Sequence, residues 1–159
     1  MTPILLALML QAAPAQPAAA PSGPATLADR LFDAMAREDL PAAAALFAPG
    51  AEFVLPYNPN GDAGDAGVRR FPAMGYVAVA TRSYDGIRFL DRVVTPAADG
   101  TTLFVEAEGD LTNAAARRPY RNRYVFKFET AGGRITRVTE YANTVTLAAQ
   151  GIAARAPKP

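Results

Sequence analysis

The sequence has no cysteine and no histidine among its 159 residues. These two absences exclude thiol nucleophiles, Ser-His-Asp and Cys-His catalytic groups, and nearly every zinc, haem or iron–sulfur site. Any acid–base chemistry must therefore use Asp, Glu, Tyr or Lys side chains. We expect neither a metal nor an organic cofactor.

An excess of one charge is also missing, since 16 basic residues face 15 acidic ones and the net charge is +1. This balance selects neither nucleic acid nor an anionic membrane as a partner. The arginines at 117, 118, 121 and 123 form the one basic cluster, which lacks interleaved exposed aromatic residues and is interpreted as outer surface. With 50% hydrophobic residues the chain can bury a core as one domain.

No apolar run near the amino end is long enough to span a bilayer, which takes roughly 20 residues. A short run at 4–10, followed by Ala13-Pro14-Ala15, instead predicts a signal peptide over residues 1–15 and a periplasmic or secreted protein. The alternative is a disordered Ala/Pro extension, because no Lys or Arg precedes the run. Residues 16–25 resemble a Pro/Ala linker, 26–152 form the predicted domain, and 153–159 a disordered tail.

Helix signals dominate the first part of the domain. Thr26 and Asp29 resemble a capping box that starts a first helix. Asp39 is placed to cap a second, short helix that runs to about Ala48 and is ended by Pro49-Gly50. The apolar face of the first helix is predicted to comprise Leu27, Leu31, Ala34 and Met35.

Strand signals dominate the second part. Strands are predicted at 51–57, 87–95, 101–111, 120–130 and 134–144, with a third helix at 75–84 and a last helical turn near 146–154. The loop at 58–70 is rich in Gly, Asn and Asp, but it matches neither a calcium loop nor a phosphate loop. The pattern predicts an α+β fold, with about three N-terminal helices on one face of an antiparallel sheet.

Two of the predicted strands form a hairpin through residues 131–133. In its first strand, 120–130, alternate positions carry an aromatic face that we expect to point inward. Glu140 in the partner strand shares that face in one register and meets Arg123 on the outer face if the register slips by one residue. A bulge near Thr136-Arg137 would bury both Ile135 and Val138 and leave Glu140 pointing inward.

An inward Glu140 must be wet, hydrogen-bonded or raised in pKa, and each of these outcomes implies a cavity. The functional interpretation makes Glu140 a proton-transfer group, with Tyr124 or Tyr57 as a neutral hydrogen-bond donor. The structural interpretation makes it a satisfied carboxylate bonded to Asn122 or to a neighbouring amide. The acidic row Glu106, Glu108 and Asp110 is predicted to be a solvated outer face.

These strands resemble a known family. Tyr120-x-Asn122-x-Tyr124, Phe128-Glu129, Gly133-x-Ile135-x-Arg137, Glu140, Asn143 and Gly151-Ile152 resemble the closing half of the phenazine-biosynthesis A/B proteins. Those proteins belong to the SnoaL-like branch of the nuclear-transport-factor-2-like superfamily, which includes ketosteroid isomerases. Upstream, the resemblance extends to residues 37–53 and 105–109.

The resemblance implies a cone, in which a curved antiparallel sheet wraps against helices around an apolar pocket, often in a homodimer. It makes Glu140 the acid that protonates substrate and places Asn122 and Tyr124 in the pocket. Unlike the phenazine proteins, this chain has no pocket histidine. Three functions stay open: acid–base isomerisation, cyclisation or dehydration of a small apolar molecule; binding of such a molecule without conversion; or a sheet face that serves only for dimerisation.

Overall fold

The computed structural model describes residues 23–57 and 68–149. The predicted signal peptide, most of the linker, the C-terminal tail and most of the loop at 58–70 lie outside the described residues. The predictions of export and of the loop's chemistry therefore stay predictions. Within the described part of the chain, no helix combines the length and apolarity needed to cross a bilayer.

Helices and strands follow one another in the predicted order, with one addition. The helices are α1 (Pro24–Ala36), α2 (Leu40–Ala44), α3 (Ala73–Ser83) and α4 (Thr144–Ala149). The strands are β1 (Phe47–Leu55), β2 (Arg69–Pro72), β3 (Tyr84–Pro96), β4 (Thr102–Asn113), β5 (Arg118–Ala131) and β6 (Arg134–Ala142). Strand β2 was not predicted, because four residues at the end of a Gly- and Asp-rich loop give no strand pattern.

One six-stranded sheet, in the order β2-β1-β6-β5-β4-β3, forms the body of the domain. Neighbouring strands are antiparallel except β1 and β6, which are parallel. The pairing of β3 with β4 is irregular between Asp85 and Arg88 and again between Leu90 and Val93. Such irregularities bend a strand and increase its twist, so the sheet curves around its inner face. The predicted α+β fold with a curved sheet is confirmed.

The core lies between α1 and the inner face of the sheet. All four predicted apolar residues of α1 are buried, together with Phe32. The Phe32 ring lies 5.2 Å from the Phe126 ring and 5.7 Å from the Phe128 ring, measured between centroids. Burial of aromatic side chains of this size supplies much of the free energy that holds helix and sheet together.

Two helix boundaries differ from the predictions. α1 begins at Pro24 after an N-cap Gly23 that makes no side-chain hydrogen bond, so the predicted Thr26 cap is wrong; Pro at a first-turn position starts the helix without one. Asp39 does cap α2, because its carboxylate accepts a hydrogen bond from the Ala42 amide (3.0 Å). α2 nevertheless ends at Ala44, well short of Ala48.

Pro49-Gly50 lies inside β1 and does not end a helix. Gly50 has φ +74°, a backbone conformation that favours glycine. The pairing of β1 with β6 jumps from Phe47 to Glu52 at this point. Gly50 therefore belongs to an irregularity within β1, which begins earlier than predicted. The Pro-Gly pair is typical of a turn, and this is why the sequence pattern predicted a helix end here.

The β5–β6 hairpin has the predicted inward face and the predicted bulge. Thr130 pairs with Ile135 whereas Glu129 pairs with Arg137, so Thr136 is the extra residue. Ile135 and Val138 are both fully buried, as the bulge requires. Gly132, in the turn, has φ +57°, and the next glycine also has a positive φ. The register pairs Glu140 with Phe126 and so leaves Glu140 on the aromatic face.

The outer face of the sheet is charged and internally paired. Asp110 forms ion pairs with Arg88 and Arg121, and Glu108 forms one with Arg123. The predicted outer-surface position therefore holds for the acidic row and for Arg121 and Arg123, whereas Arg117 lies in the β4–β5 turn. Exposed ion pairs of this kind each contribute only about 0–1 kcal/mol to the stability of the protein, so they identify the solvent-facing side of the sheet but stabilise it little.

Gly109 in β4 lets an aromatic ring lie flat on the inner face. A Cβ at this position would stand 2.5 Å from Tyr124 Cε2 and 2.8 Å from Leu111 Cδ1. Both distances are too short for real carbon contacts, and both side chains are buried. We expect Gly109→Ala to lower the free energy of unfolding by about 1–3 kcal/mol, as overpacking does, measured by urea denaturation.

Gly75 provides the matched control, because a Cβ there would meet only Pro72 Cβ at 3.9 Å. Gly75 lies inside α3, so Gly75→Ala should raise the free energy of unfolding by about 0.5–1 kcal/mol through its better helix propensity. Equal effects of the two substitutions would contradict the tight packing of Tyr124 over Gly109.

Candidate functional site

A cavity of about 530 Å³ lies between the inner face of the sheet and the helices α1 and α3. Its walls are mostly apolar and aromatic, and include Phe32, Phe53, Phe89, Phe126 and Val138. Cavities of this size and lining are typical of small-molecule sites. The inward curvature of the sheet leaves this space open, because α1 covers only part of the aromatic face.

Glu140 carries the one carboxyl group among the described residues that line the cavity. It enters on β6 opposite Phe126, and the bulge at Thr136 determines that it points inward. Burial raises the pKa of Glu140 to about 7, since a charged carboxylate is poorly solvated among aromatic rings. At neutral pH the group is therefore divided between its acid and its base form.

Tyr76 of α3 holds Glu140 in place. Its hydroxyl donates a hydrogen bond to Glu140 Oε2 at 2.9 Å, and its ring stacks on Phe53 with centroids 3.9 Å apart. This hydrogen bond lowers the pKa of Glu140 and so offsets part of the effect of burial. The pKa of Tyr76 is raised well above its usual value by burial and by the charge of Glu140. Tyr76 thus stays protonated and acts as a donor.

Three further tyrosines line the cavity near Glu140: Tyr84, Tyr120 and Tyr124. Burial raises the pKa of each, and the charge of Glu140 adds to the rise. The Tyr84 and Tyr120 rings stack with centroids 5.3 Å apart. The cavity therefore presents several neutral hydroxyl donors beside one titratable carboxyl, an arrangement suited to a developing oxyanion next to an acid or base.

Asn122 does not line the cavity, but it contacts Tyr120, one of the tyrosines that do. It is 6% exposed, and its Nδ2 donates to the Tyr120 hydroxyl (2.7 Å) and to the Asn143 carbonyl (3.2 Å). Its Oδ1 accepts a hydrogen bond from the Arg123 amide at 2.8 Å. The expectation that Asn122 lies beside Glu140 is not met, because the hairpin pairs Glu140 with Phe126. Asn122 instead fixes the position of Tyr120.

Tyr57 is brought to the other side of the sheet. It is 64% exposed, does not line the cavity, and its ring lies 5.9 Å from that of Tyr141. Tyr141 is one residue from Glu140 on β6 and so points outward. β1 ends at Leu55 and the chain then turns, so strand alternation no longer governs where Tyr57 points. Of the predicted site residues, the structure brings only Glu140 and Tyr124 together in the cavity.

Tyr76 was missed by the sequence analysis, although a signal was present. Tyr76, Val79, Ala80 and Ser83 all line the cavity and recur at helical spacing, so they form one face of α3. The pattern marks that face as apolar with polar members. It does not indicate which strand the face meets, and Tyr76 and Glu140 are 64 residues apart in the chain.

Comparison with known proteins gives one family and many structures. The family model described as SnoaL-like domain matches residues 28–138. No curated protein matches the chain by sequence. Within this range the structure describes residues 28–57 and 68–138.

Solved structures share the fold at low identity. A candidate isomerase from Bacillus subtilis has a TM-score of 0.69 and 22% identity, over 82% of this chain and 93% of its own. A candidate polyketide cyclase from Xanthomonas campestris has a TM-score of 0.60 and 23% identity, over 79% and 94%. An NTF2-like protein from Burkholderia xenovorans LB400 has a TM-score of 0.61 and 20% identity, over 82% and 98%.

The raised pKa of Glu140 predicts the direction in which the stability of the protein changes with pH. The pKa is about 7 in the folded protein and 4.5 without the fold, so the unfolded chain loses its proton first as the pH rises. The stability that the protonated group provides is complete below about pH 4.5 and is lost by pH 8. At 1.36 kcal/mol per pH unit, this loss is about 3 kcal/mol.

Glu140→Gln should remove that loss, because the amide stays neutral and can still accept the hydrogen bond from Tyr76. We expect the substitution to stabilise the protein at pH 8 relative to wild type, by up to about 3 kcal/mol more than at pH 4.5. Urea denaturation at both pH values measures this. Glu106→Gln, at an exposed position on the outer face, is the matched control and should show a much smaller difference. A destabilised Glu140→Gln at pH 8 would contradict the assignment.

Tyr76→Phe should have the opposite pH dependence. The substitution removes the hydroxyl that donates to Glu140, so the pKa of Glu140 should rise above 7. Loss of a hydrogen bond to a charged group costs about 1.5–3 kcal/mol, against about 0.5–1.5 kcal/mol for a neutral pair, so the destabilisation should be larger at pH 8 than at pH 5. Tyr84→Phe is the control, because it removes a hydroxyl from the same cavity. A Tyr76→Phe effect that is independent of pH would argue against the hydrogen bond between Tyr76 and Glu140.

Proposed function

The chain belongs to the family of SnoaL-like domains, and we propose that it binds a small apolar molecule in the cavity and transfers a proton to or from it through Glu140. The observation that carries this proposal is the position of one carboxyl, with a pKa of about 7, among aromatic rings and beside a tyrosine donor. A general acid or base works best when its pKa lies near the working pH.

The chemistry has two components. Glu140 as a carboxylate removes a proton from a carbon or an oxygen of the bound molecule, or as a carboxylic acid returns one. Tyr84 and Tyr124 face the same space with neutral hydroxyls, and such donors stabilise an oxyanion that forms when a carbon next to a carbonyl loses its proton. Isomerisation, cyclisation and dehydration all pass through steps of this kind.

Two similar structures carry printed names that fit this class, isomerase and polyketide cyclase. Their identities of 22% and 23% support the fold, and the choice among the three reactions has no support from them. Export and a homodimer remain further predictions.

A substrate that needs only a base tests the central claim. 5-Nitrobenzisoxazole loses the proton at C3 to a base while its N–O bond breaks, which produces a coloured nitrophenolate. We expect the protein to accelerate this ring opening, with a rate that rises with pH around 7. Because general-base catalysis contributes about 10²–10⁴-fold, Glu140→Gln should lower the rate by about 100-fold or more.

The same assay identifies the alternative. Glu106→Gln should leave the rate unchanged, since Glu106 lies on the outer face. If Glu140→Gln keeps the wild-type rate, the proton-transfer assignment is wrong. If the wild type binds the compound without accelerating its ring opening, the domain is better described as a binding module.

A further inference from the structure

The mouth of the cavity can be identified from the exposure of its lining. Most of the lining residues are buried or half-buried, but four are exposed: Val79, Arg82, Ser83 and Ala115. The first three belong to the last part of α3, and Ala115 belongs to the turn between β4 and β5. The Ala114 amide donates a hydrogen bond to the Ser83 carbonyl at 3.0 Å, which fixes the two elements side by side. The cavity therefore opens at the C-terminal end of α3.

Arg82 places a positive charge at this mouth. It lines the cavity, it is exposed, and within residues 23–57 and 68–149 no carboxylate or other acceptor is bonded to it. Its neighbour Arg117, in the β4–β5 turn, is by contrast paired with Asp85, with 3.7 Å between Nη1 and Oδ2. The guanidinium of Arg82 is thus free to bind an anion from the cavity side.

A basic residue in the last turn of a helix also interacts favourably with the helix dipole, by about 0.3–1 kcal/mol. That role explains an arginine at position 82 without any ligand. It acts on the stability of α3 in the empty protein, whereas an anion-binding role acts on affinity for charged molecules. The two roles are therefore separable by measurement.

Other polar groups at the mouth favour an anion as well. Asn113 lines the cavity opposite Tyr84 and accepts a hydrogen bond from the Ala116 amide (2.8 Å) through Oδ1, which leaves its amide NH₂ as a donor. Arg82 is the charged side chain among the described lining residues at this opening. A positive charge there attracts anions into the opening.

We infer that the ligand of this cavity is an amphipathic acid, with an apolar body among the aromatic rings and an anionic group at the mouth against Arg82. The inference rests on the proposed function, because it names the class of molecule that the same cavity takes. The charges also set the orientation of the ligand. The carboxylate form of Glu140 repels an anion from its part of the cavity, while Arg82 attracts the anion at the mouth. The apolar end therefore meets Glu140.

Two dyes of one skeleton test this inference. 8-Anilinonaphthalene-1-sulfonate carries a sulfonate, and N-phenyl-1-naphthylamine is the same molecule without it. Dissociation constants are measured by fluorescence at low salt and pH 7 for wild type, Arg82→Gln, Arg82→Lys and Arg37→Gln. Arg37 is an exposed arginine at the end of α1 that does not line the cavity, so its substitution is the matched change of charge.

We expect Arg82→Gln to weaken the sulfonate dye by about 2–5-fold, the range of an exposed ion pair, and to leave the neutral dye unchanged. Arg82→Lys should keep most of the affinity, and Arg37→Gln should alter neither dye. The two dyes should displace one another, as they must if they share the cavity. Melting temperatures without dye report any loss of α3 stability separately.

The outcomes separate the two proposals. If the neutral dye binds but Arg82→Gln weakens both dyes equally or neither, or if the dyes do not compete, the amphipathic-acid inference is overturned and the cavity still binds small molecules. If the neutral dye does not bind the wild-type protein at all, the proposed small-molecule function fails, and this inference fails with it.

Discussion

The extra residue at Thr136 determines which side of β6 faces the helices. Its hydroxyl donates a hydrogen bond to the Glu129 carbonyl at 3.0 Å, and on either side of it the strand pairs with β5 in registers that differ by one residue. Without the bulge, either Ile135 or Val138 would point to solvent, and the burial of both would be impossible. The same bulge aims Glu140 at the aromatic face, so core packing and the candidate site have one structural cause.

The consequence of this geometry is a half-buried carboxyl whose charge is only partly compensated. Within residues 23–57 and 68–149, one hydrogen bond, from Tyr76, reaches it, and the surrounding rings provide no charge of opposite sign. A structural carboxylate normally gains more partners than this, and a carboxylate with two or three donors has a lowered pKa. A pKa of about 7 therefore indicates a group whose ionisation costs stability, and such groups cluster at functional sites.

The sequence was sufficient for the features that depend on local pattern. The alternation of aromatic residues along β5, the opposite parity of Ile135 and Val138, and the position of Asp39 before Pro41 predicted the inward face, the bulge and the α2 cap. The pairing of Tyr76 with Glu140 and the turn that carries Tyr57 outward depend on contacts between distant segments. The spacing of residues along the chain contains no information on those contacts. The role of Tyr76 and the outward position of Tyr57 could therefore be found only from the structure.

The cavity also couples its occupancy to the protonation of its acid. Burial is the largest cause of the raised pKa of Glu140, and the side chain is half-buried, so water can reach the side that faces the cavity. An apolar ligand that displaces this water increases the desolvation and must raise the pKa further. Near neutral pH, binding therefore shifts Glu140 from a mixture of both forms toward the protonated one. The bound state then favours delivery of a proton first, and a reaction that starts with its removal needs a higher pH or a compensating donor from the ligand.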